Sequence, residues 1–99
     1  MRISCCVPFC KRTRGDWKHD KLVEGSEWIC QDHWPLVPKH YRRRDGKSMR
    51  RYTKKFGRTQ FWEYPAGSPQ RIEAVRLARL CDKSWRICKR IAIERAVGI

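Results

Sequence analysis

The sequence predicts a small α-rich fold in which a Cys/His-rich head with short strands is followed by two helices, at about 38–56 and 69–97. Three observations carry that expectation. Four of the six cysteines and two of the three histidines lie within the first 33 of 99 residues. Apolar residues then recur at intervals of three and four through two long segments, the period of an amphipathic helix. Between and after those segments stand the residues that stop and start helices, Gly57, Ser68-Pro69 and Gly98. A chain of this length buries a modest core, so a metal or disulfide staple is in keeping with its size.

The head, 1–37, is punctuated by Gly15 and Gly25, and "EWIC" (27–30) reads as its one half-buried strand. Pro38 suits a first helical position. From there Tyr41, Asp45, Ser48 or Met49, Tyr52 and Phe56 follow the helical period to Gly57. Gly46 costs that helix roughly 1 kcal/mol against alanine and marks the one place it could break. "FWEYPAGSP" is a linker ending in Ser68 as N-cap and Pro69 as first helical residue. Ala74, Ala78, Cys81, Trp85, Cys88, Ala92 and Ala96 then form an apolar seam, widened by Leu77, Leu80, Ile87 and Ile91. The pattern runs unbroken past Asp82 and Ser84, so one continuous helix is expected, although "CDKSW" offers caps for a break. The helical region 38–99 is expected to pack with the head as one domain.

The charge is unevenly placed. Twenty-four Lys and Arg against ten Asp and Glu give +14 overall. The head carries six basic and five acidic residues, 38–67 ten and two, and 68–99 eight and three. A cationic surface of this density points to a polyanion, with nucleic acid the commonest partner and an acidic protein or an anionic membrane surface as rivals. No window is apolar enough to span a bilayer, and the opening residues lack the apolar stretch of a signal peptide, so the chain is expected to be cytoplasmic. In a reducing compartment cysteines serve metal ligation or burial rather than a disulfide framework.

Zinc sites take soft thiolates and imidazoles in two pairs, each close enough for one turn to present both ligands. "CCVPFC" supplies Cys10 with Cys5 or Cys6, and "CQDH" supplies Cys30 with His33. Cys5 is favoured, because "VPF" then lies centrally in the loop, and Cys6 is the alternative. Three thiolates and one imidazole would close the site, leaving no position for a substrate water, so the Zn2+ would be structural. The fold class that follows is a small α-rich zinc-binding domain, an N-terminal zinc knuckle with short strands followed by two helices. Cys81 and Cys88, seven residues apart, would lie about 10 Å apart along a helix and read as seam residues. His19 and His40 have no partner at ligand spacing.

"CCVPFC" followed by "WICQDHW" resembles the zinc-knuckle heads, C-x4-C then C-x2-H and an aromatic, of small phage and prokaryotic proteins. Some of these continue into HNH-type endonucleases. The resemblance covers about the first third of the chain. It implies a treble-clef-like site on Cys5, Cys10, Cys30 and His33 in a protein of phage or mobile-element type, placed in the bacterial host cell. The chain departs from the nuclease pattern: it contains no asparagine and only two histidines outside the proposed site. No catalytic constellation can be assembled from it, and it is expected not to be an enzyme. "ICQDHW" also resembles the C-x2-H end of THAP-type DNA-binding domains, which separate their ligand pairs by a longer insert.

The expected partner surface is the first helix. Lys39, Arg42, Arg43, Arg44, Lys47, Arg50, Arg51, Lys54, Lys55 and Arg58 stand against one acid and are interleaved with aromatics. A line of cations suits phosphates, above all those of double-stranded DNA. Arg76, Arg79, Lys83, Arg86 and Arg90 form a second stripe opposite the seam that could extend the footprint. The seam itself would pack internally or meet a second copy as a homodimer, with Trp85 a core residue. The alternative function is a protein-interaction module, a phage structural or host-takeover factor whose basic surface docks on an acidic partner.

Overall fold

The structure, a computed structural model, describes residues 1–18 and 20–98, which leaves the reading of His19 outside the described residues. Two short strands, β1 (Ile3–Ser4) and β2 (Thr13–Arg14), pair antiparallel with Ile3 opposite Arg14 and Ser4 opposite Thr13. A 3-10 turn at Trp34–Leu36 leads into α1 (Lys39–Phe56). A second 3-10 turn at Phe61–Glu63 precedes α2 (Pro69–Val97). No described helix is long and apolar enough to cross a membrane.

The expected strand "EWIC" is corrected. These residues form no ladder, and Cys6 N–H donates to the Trp28 carbonyl at 2.8 Å as a backbone tie. Ile29 and Cys30 are buried there, so the apolar signal was one of burial rather than of sheet. Helix α1 begins one residue later than expected, with the extended Pro38 (ψ 144°) as its N-cap. It runs through Gly46 and stops at Gly57, whose φ of 60° is left-handed backbone that glycine adopts without strain. Its last turn closes by a bond from Gly57 N–H to the Thr53 carbonyl. Helix α2 is continuous through Asp82–Ser84, as its unbroken period required. Ser68 Oγ accepts from Arg71 N–H at 3.2 Å, the N-cap bond, with Pro69 in the first helical position.

The contacts group the chain into two compact units, Met1–Val37 with the end of α2 from Lys89, and Pro38–Cys88. In the first, Val7, Ile29, Cys30, Val37 and Ala92 are buried. Arg14, buried, donates to the Gly15 and Asp20 carbonyls and lies 3.5 Å above the Trp17 ring, so its guanidinium organises the 14–20 loop. Lys89 pairs with Glu27, and Arg95 donates to the Leu36 carbonyl at 3.0 Å.

In the second unit Ala74, Leu77, Ser84 and Cys88 are the buried line of α2. Two seam assignments shift accordingly. Ser84 is buried where Trp85 is half-buried, and Leu80 is 39% exposed. Tyr41, Asp45, Ser48, Tyr52 and Phe56 are the half-buried face of α1, while Met49 points outward. Ser48 and Ser84 hydroxyls meet at 3.2 Å, and Ser84 Oγ also donates to the Leu80 carbonyl. Tyr52 donates to the Thr59 carbonyl at 2.7 Å; its ring meets Phe56 at a tilt, and Phe56 meets Tyr64 edge-on.

Among the described residues, the buried side-chain oxygen without a hydrogen-bond partner is Asp45 Oδ1. Burial pushes the Asp45 carboxyl above its usual range. The folded chain therefore holds this proton more tightly than the unfolded chain does. Its cost to stability is absent below the unfolded carboxylate value and grows as pH rises through the folded one. Asp45→Asn, which removes the charge, is expected to stabilise the protein at pH 7 by about 1 kcal/mol in urea unfolding. The difference between variant and parent should vanish as pH falls below about 4. Equal midpoints at pH 7 would show that the carboxylate is solvated in solution.

Candidate metal centre

The site is built from two turns. In the first, Cys10 N–H donates to the Val7 carbonyl at 3.0 Å, closing the "VPF" loop, while Cys5 N–H is held by the Arg12 carbonyl at 2.9 Å. Val7 is buried under the loop, and Phe9 is exposed with its ring edge-on to His33. In the second, the N–H groups of His33 and Trp34 both donate to the Cys30 carbonyl, at 3.1 and 2.9 Å. That turn puts Cys30 and His33 on one side of the chain. Arg12 and Asp32 join the two turns by an ion pair at 2.7 Å.

These constraints bring together Cys5, Cys10, Cys30 and His33, whose donor atoms all lie within 4.8 Å of one another. Cys10 Sγ and Cys30 Sγ are 3.8 Å apart, Cys5 Sγ and His33 Nδ1 3.8 Å, and Cys30 Sγ and His33 Nδ1 3.1 Å. A tetrahedron with metal–sulfur bonds of ~2.3 Å and metal–nitrogen bonds of ~2.0 Å has edges of about 3.5–3.8 Å. The cluster is therefore the right size for one ion. Its sulfur separation is far beyond the ~2.05 Å of a disulfide. All six cysteines are free.

The backbone also prepares the site for negative charge. Cys30 N–H donates to Cys5 Sγ at 3.3 Å. Burial pushes the Cys30 thiol up, but the N–H groups of Asp32 and His33, with bonds from Cys5 and Cys10, outweigh it and hold the thiol at about 7. Around Cys10 the Arg12 N–H works downward, and burial together with the Cys30 and Cys5 thiols raises it. One thiolate in the cluster thus forms readily, and further ionisation calls for a cation. Thiolates and imidazole without a carboxylate select a soft or borderline ion.

The doubled cysteine resolves into two environments. Cys5 is buried within the cluster. Cys6 Sγ lies 3.9 Å from Glu27 Oε2, and burial raises its thiol. Cys81 and Cys88 stand apart on α2. Burial and the nearby Asp45 push both up, Cys88 to about 11, and Cys88 Sγ donates to the Tyr41 carbonyl. His40 is exposed beside Tyr41.

Of the ten basic residues expected at a partner surface, nine are exposed, and Arg42 is half-buried. Lys55 is engaged by Glu73 at 3.2 Å. Arg43, Lys47, Arg50 and Lys54 fall at i, i+4, i+7 and i+11 and so form one line on the outer face of α1. The supports that sequence reasoning missed are the Arg12–Asp32 pair and the amide bond to Cys5 Sγ. Opposite charges two and one residues from the ligands were visible, but nothing in their spacing linked them. No family model matches the chain, and comparison with curated proteins and with solved structures returns no match.

Proposed function

We propose that this chain is a zinc-stabilised nucleic-acid-binding protein that takes double-stranded DNA along the outer face of α1. The observation that carries the reading is the line Arg43, Lys47, Arg50 and Lys54, exposed and flanked by Arg44, Arg51 and Lys39 on a helix whose opposite face is half-buried. At ~1.5 Å per residue the line extends about 16 Å, the reach of several phosphates on one strand. Arginine adds two-pronged hydrogen bonding to phosphate oxygens, and lysine adds point charge.

The head serves this surface as a staple. Cys5, Cys10, Cys30 and His33 would hold Zn2+, which when bound supplies folding energy through four protein ligands. The head is nearly neutral, with six basic and five acidic side chains in the segment 1–37. Binding is thereby assigned to the helical region and fold maintenance to the head.

A salt titration tests the reading. Binding of a random-sequence 20-base-pair duplex, followed by fluorescence anisotropy, is expected to weaken by roughly 10²–10³ between 50 and 200 mM NaCl, as for about five phosphate contacts. A single strand of the same length should show a shallower slope. Absence of measurable duplex affinity at 50 mM salt would sink the proposal.

A further inference from the structure

Building on the reading of α1 as the DNA-binding helix, on which the proposal rests, we infer that Gly46 is its point of closest approach to the duplex: a notch over which one backbone phosphate seats, held by the guanidinium of Arg50. Glycine is the poorest helix former after proline, yet Gly46 stands near the middle of an 18-residue helix. The backbone gives it no task. Gly25, Gly57, Gly67 and Gly98 have positive φ, the left-handed region that favours glycine, whereas Gly46 does not, and α1 runs through it unbroken. Core packing does not call for it either. A Cβ on Gly46 would meet Arg50 Nη1 at 3.2 Å and Cζ at 4.0 Å, the far end of an exposed, flexible side chain. Alanine would therefore fit the fold after a small shift of Arg50, and would favour the helix.

What the missing Cβ leaves open lies within the row of cations. Gly46 stands three residues after Arg43, one before Lys47 and four before Arg50, and Lys39 lies a further turn before Arg43, so exposed cations stand along the helix on both sides of it. Side chains on a helix lean toward its N-terminus. That direction carries Arg50 back over Gly46, where the structure places its guanidinium. The charge is thereby held low against the helix, with only the glycine backbone beneath it. Among the described residues no carboxylate pairs with Arg50, and Asp45, the acid of α1, belongs to the half-buried face with its Oδ1 buried. A phosphate can therefore take both prongs of this arginine while its strand rests close to the backbone of α1, an approach that glycine permits. A Cβ at position 46 would hold the strand off and push Arg50 outward.

The test measures binding of the 20-base-pair duplex by the parent chain, by Gly46→Ala, by Arg50→Gln and by the double variant, with urea unfolding of each alongside. Gly46→Ala changes no charge and improves helix propensity, so its urea midpoint is expected to rise. Duplex affinity at 100 mM NaCl is nonetheless expected to fall about fivefold, and the salt dependence to flatten by about one unit of slope, the share of one phosphate contact. In the Arg50→Gln background the same substitution should change affinity by less than about twofold, because the group that holds the phosphate is already gone. A parent that binds, with an affinity that Gly46→Ala leaves unchanged or raises, would overturn the notch and leave the DNA reading standing. Equal losses in the two backgrounds would also overturn it, since Gly46 would then act apart from Arg50. So would a lowered urea midpoint in Gly46→Ala, which would make Gly46 a packing position. A parent without affinity for the duplex would remove the DNA reading and the notch with it.

Discussion

Cys30→Ser is expected to abolish stoichiometric zinc binding and to unfold the head, with loss of the near-ultraviolet signal of its tryptophans. Cys30 is fully buried and is the hub of the cluster. Its Sγ lies 3.8 Å from Cys10 Sγ and 3.1 Å from His33 Nδ1, its carbonyl receives two turn bonds, and its N–H donates to Cys5 Sγ. A structural zinc contributes on the order of 10 kcal/mol in small domains, comparable to the whole stability of a chain this size. The packing of Val7, Ile29 and Val37 is too small to replace it. Cys6→Ser is the matched control. Its thiol lies beside Glu27 and outside the cluster, so that variant should retain one equivalent of metal and resist chelator as the parent does. Metal content by atomic emission and circular dichroism before and after EDTA check both. Zinc retained by Cys30→Ser, or lost by Cys6→Ser, would refute the ligand set.

How much of this was legible in the sequence differs by element, and the reasons are physical. The C-x2-H pair was readable because a single turn suffices to converge two side chains, a local event. The limits of α2 were readable because Ser68-Pro69 and Gly98 are local stop and start chemistry, and the length of its period carried it past Asp82. The choice of Cys5 rested on the shape of a loop with four residues between ligands, and the geometry places Cys5 in the cluster. "EWIC" misled because alternation marks burial in a strand and burial beside a metal site alike. The hairpin of Ile3–Ser4 with Thr13–Arg14 is too short for any pattern to announce it. Along α2 the misplacement of Trp85 and Leu80 has one cause. A seam written at intervals of four and three admits neighbours one residue to either side, and packing against α1 selects among them. There the Ser48–Ser84 contact fixes the register, and Ser84 is buried in place of Trp85. Two polar residues can mark a helix interface only when their partners are known. Asp45 was read as one more inward position, and its unpartnered oxygen emerges only when its surroundings are counted.

Replacing Arg43, Lys47, Arg50 and Lys54 together by glutamine is expected to weaken duplex DNA binding by about 10³ at 100 mM salt and to flatten the salt dependence by roughly four units of slope. Glutamine matches lysine and arginine in helix propensity, and the four side chains are exposed, so α1 should persist. What changes is the line of charge. If attraction came only from the overall +14, any equal loss of charge would weaken binding alike. Arg2, Lys11, Lys18 and Lys21 supply that comparison: all four are exposed and belong to the nearly neutral head. Their replacement by glutamine should change affinity by less than about tenfold, since these charges stand outside the row that would hold phosphates. A phosphate held by a row of cations on one rigid helix releases its counterions together, whereas scattered charges contribute only to a diffuse field. Similar losses in the two sets of variants would therefore assign binding to net charge and remove α1 as the interface. A selective loss in the helix set would tie affinity to the spacing at i, i+4, i+7 and i+11 that brings these four cations into line on the outer face of α1.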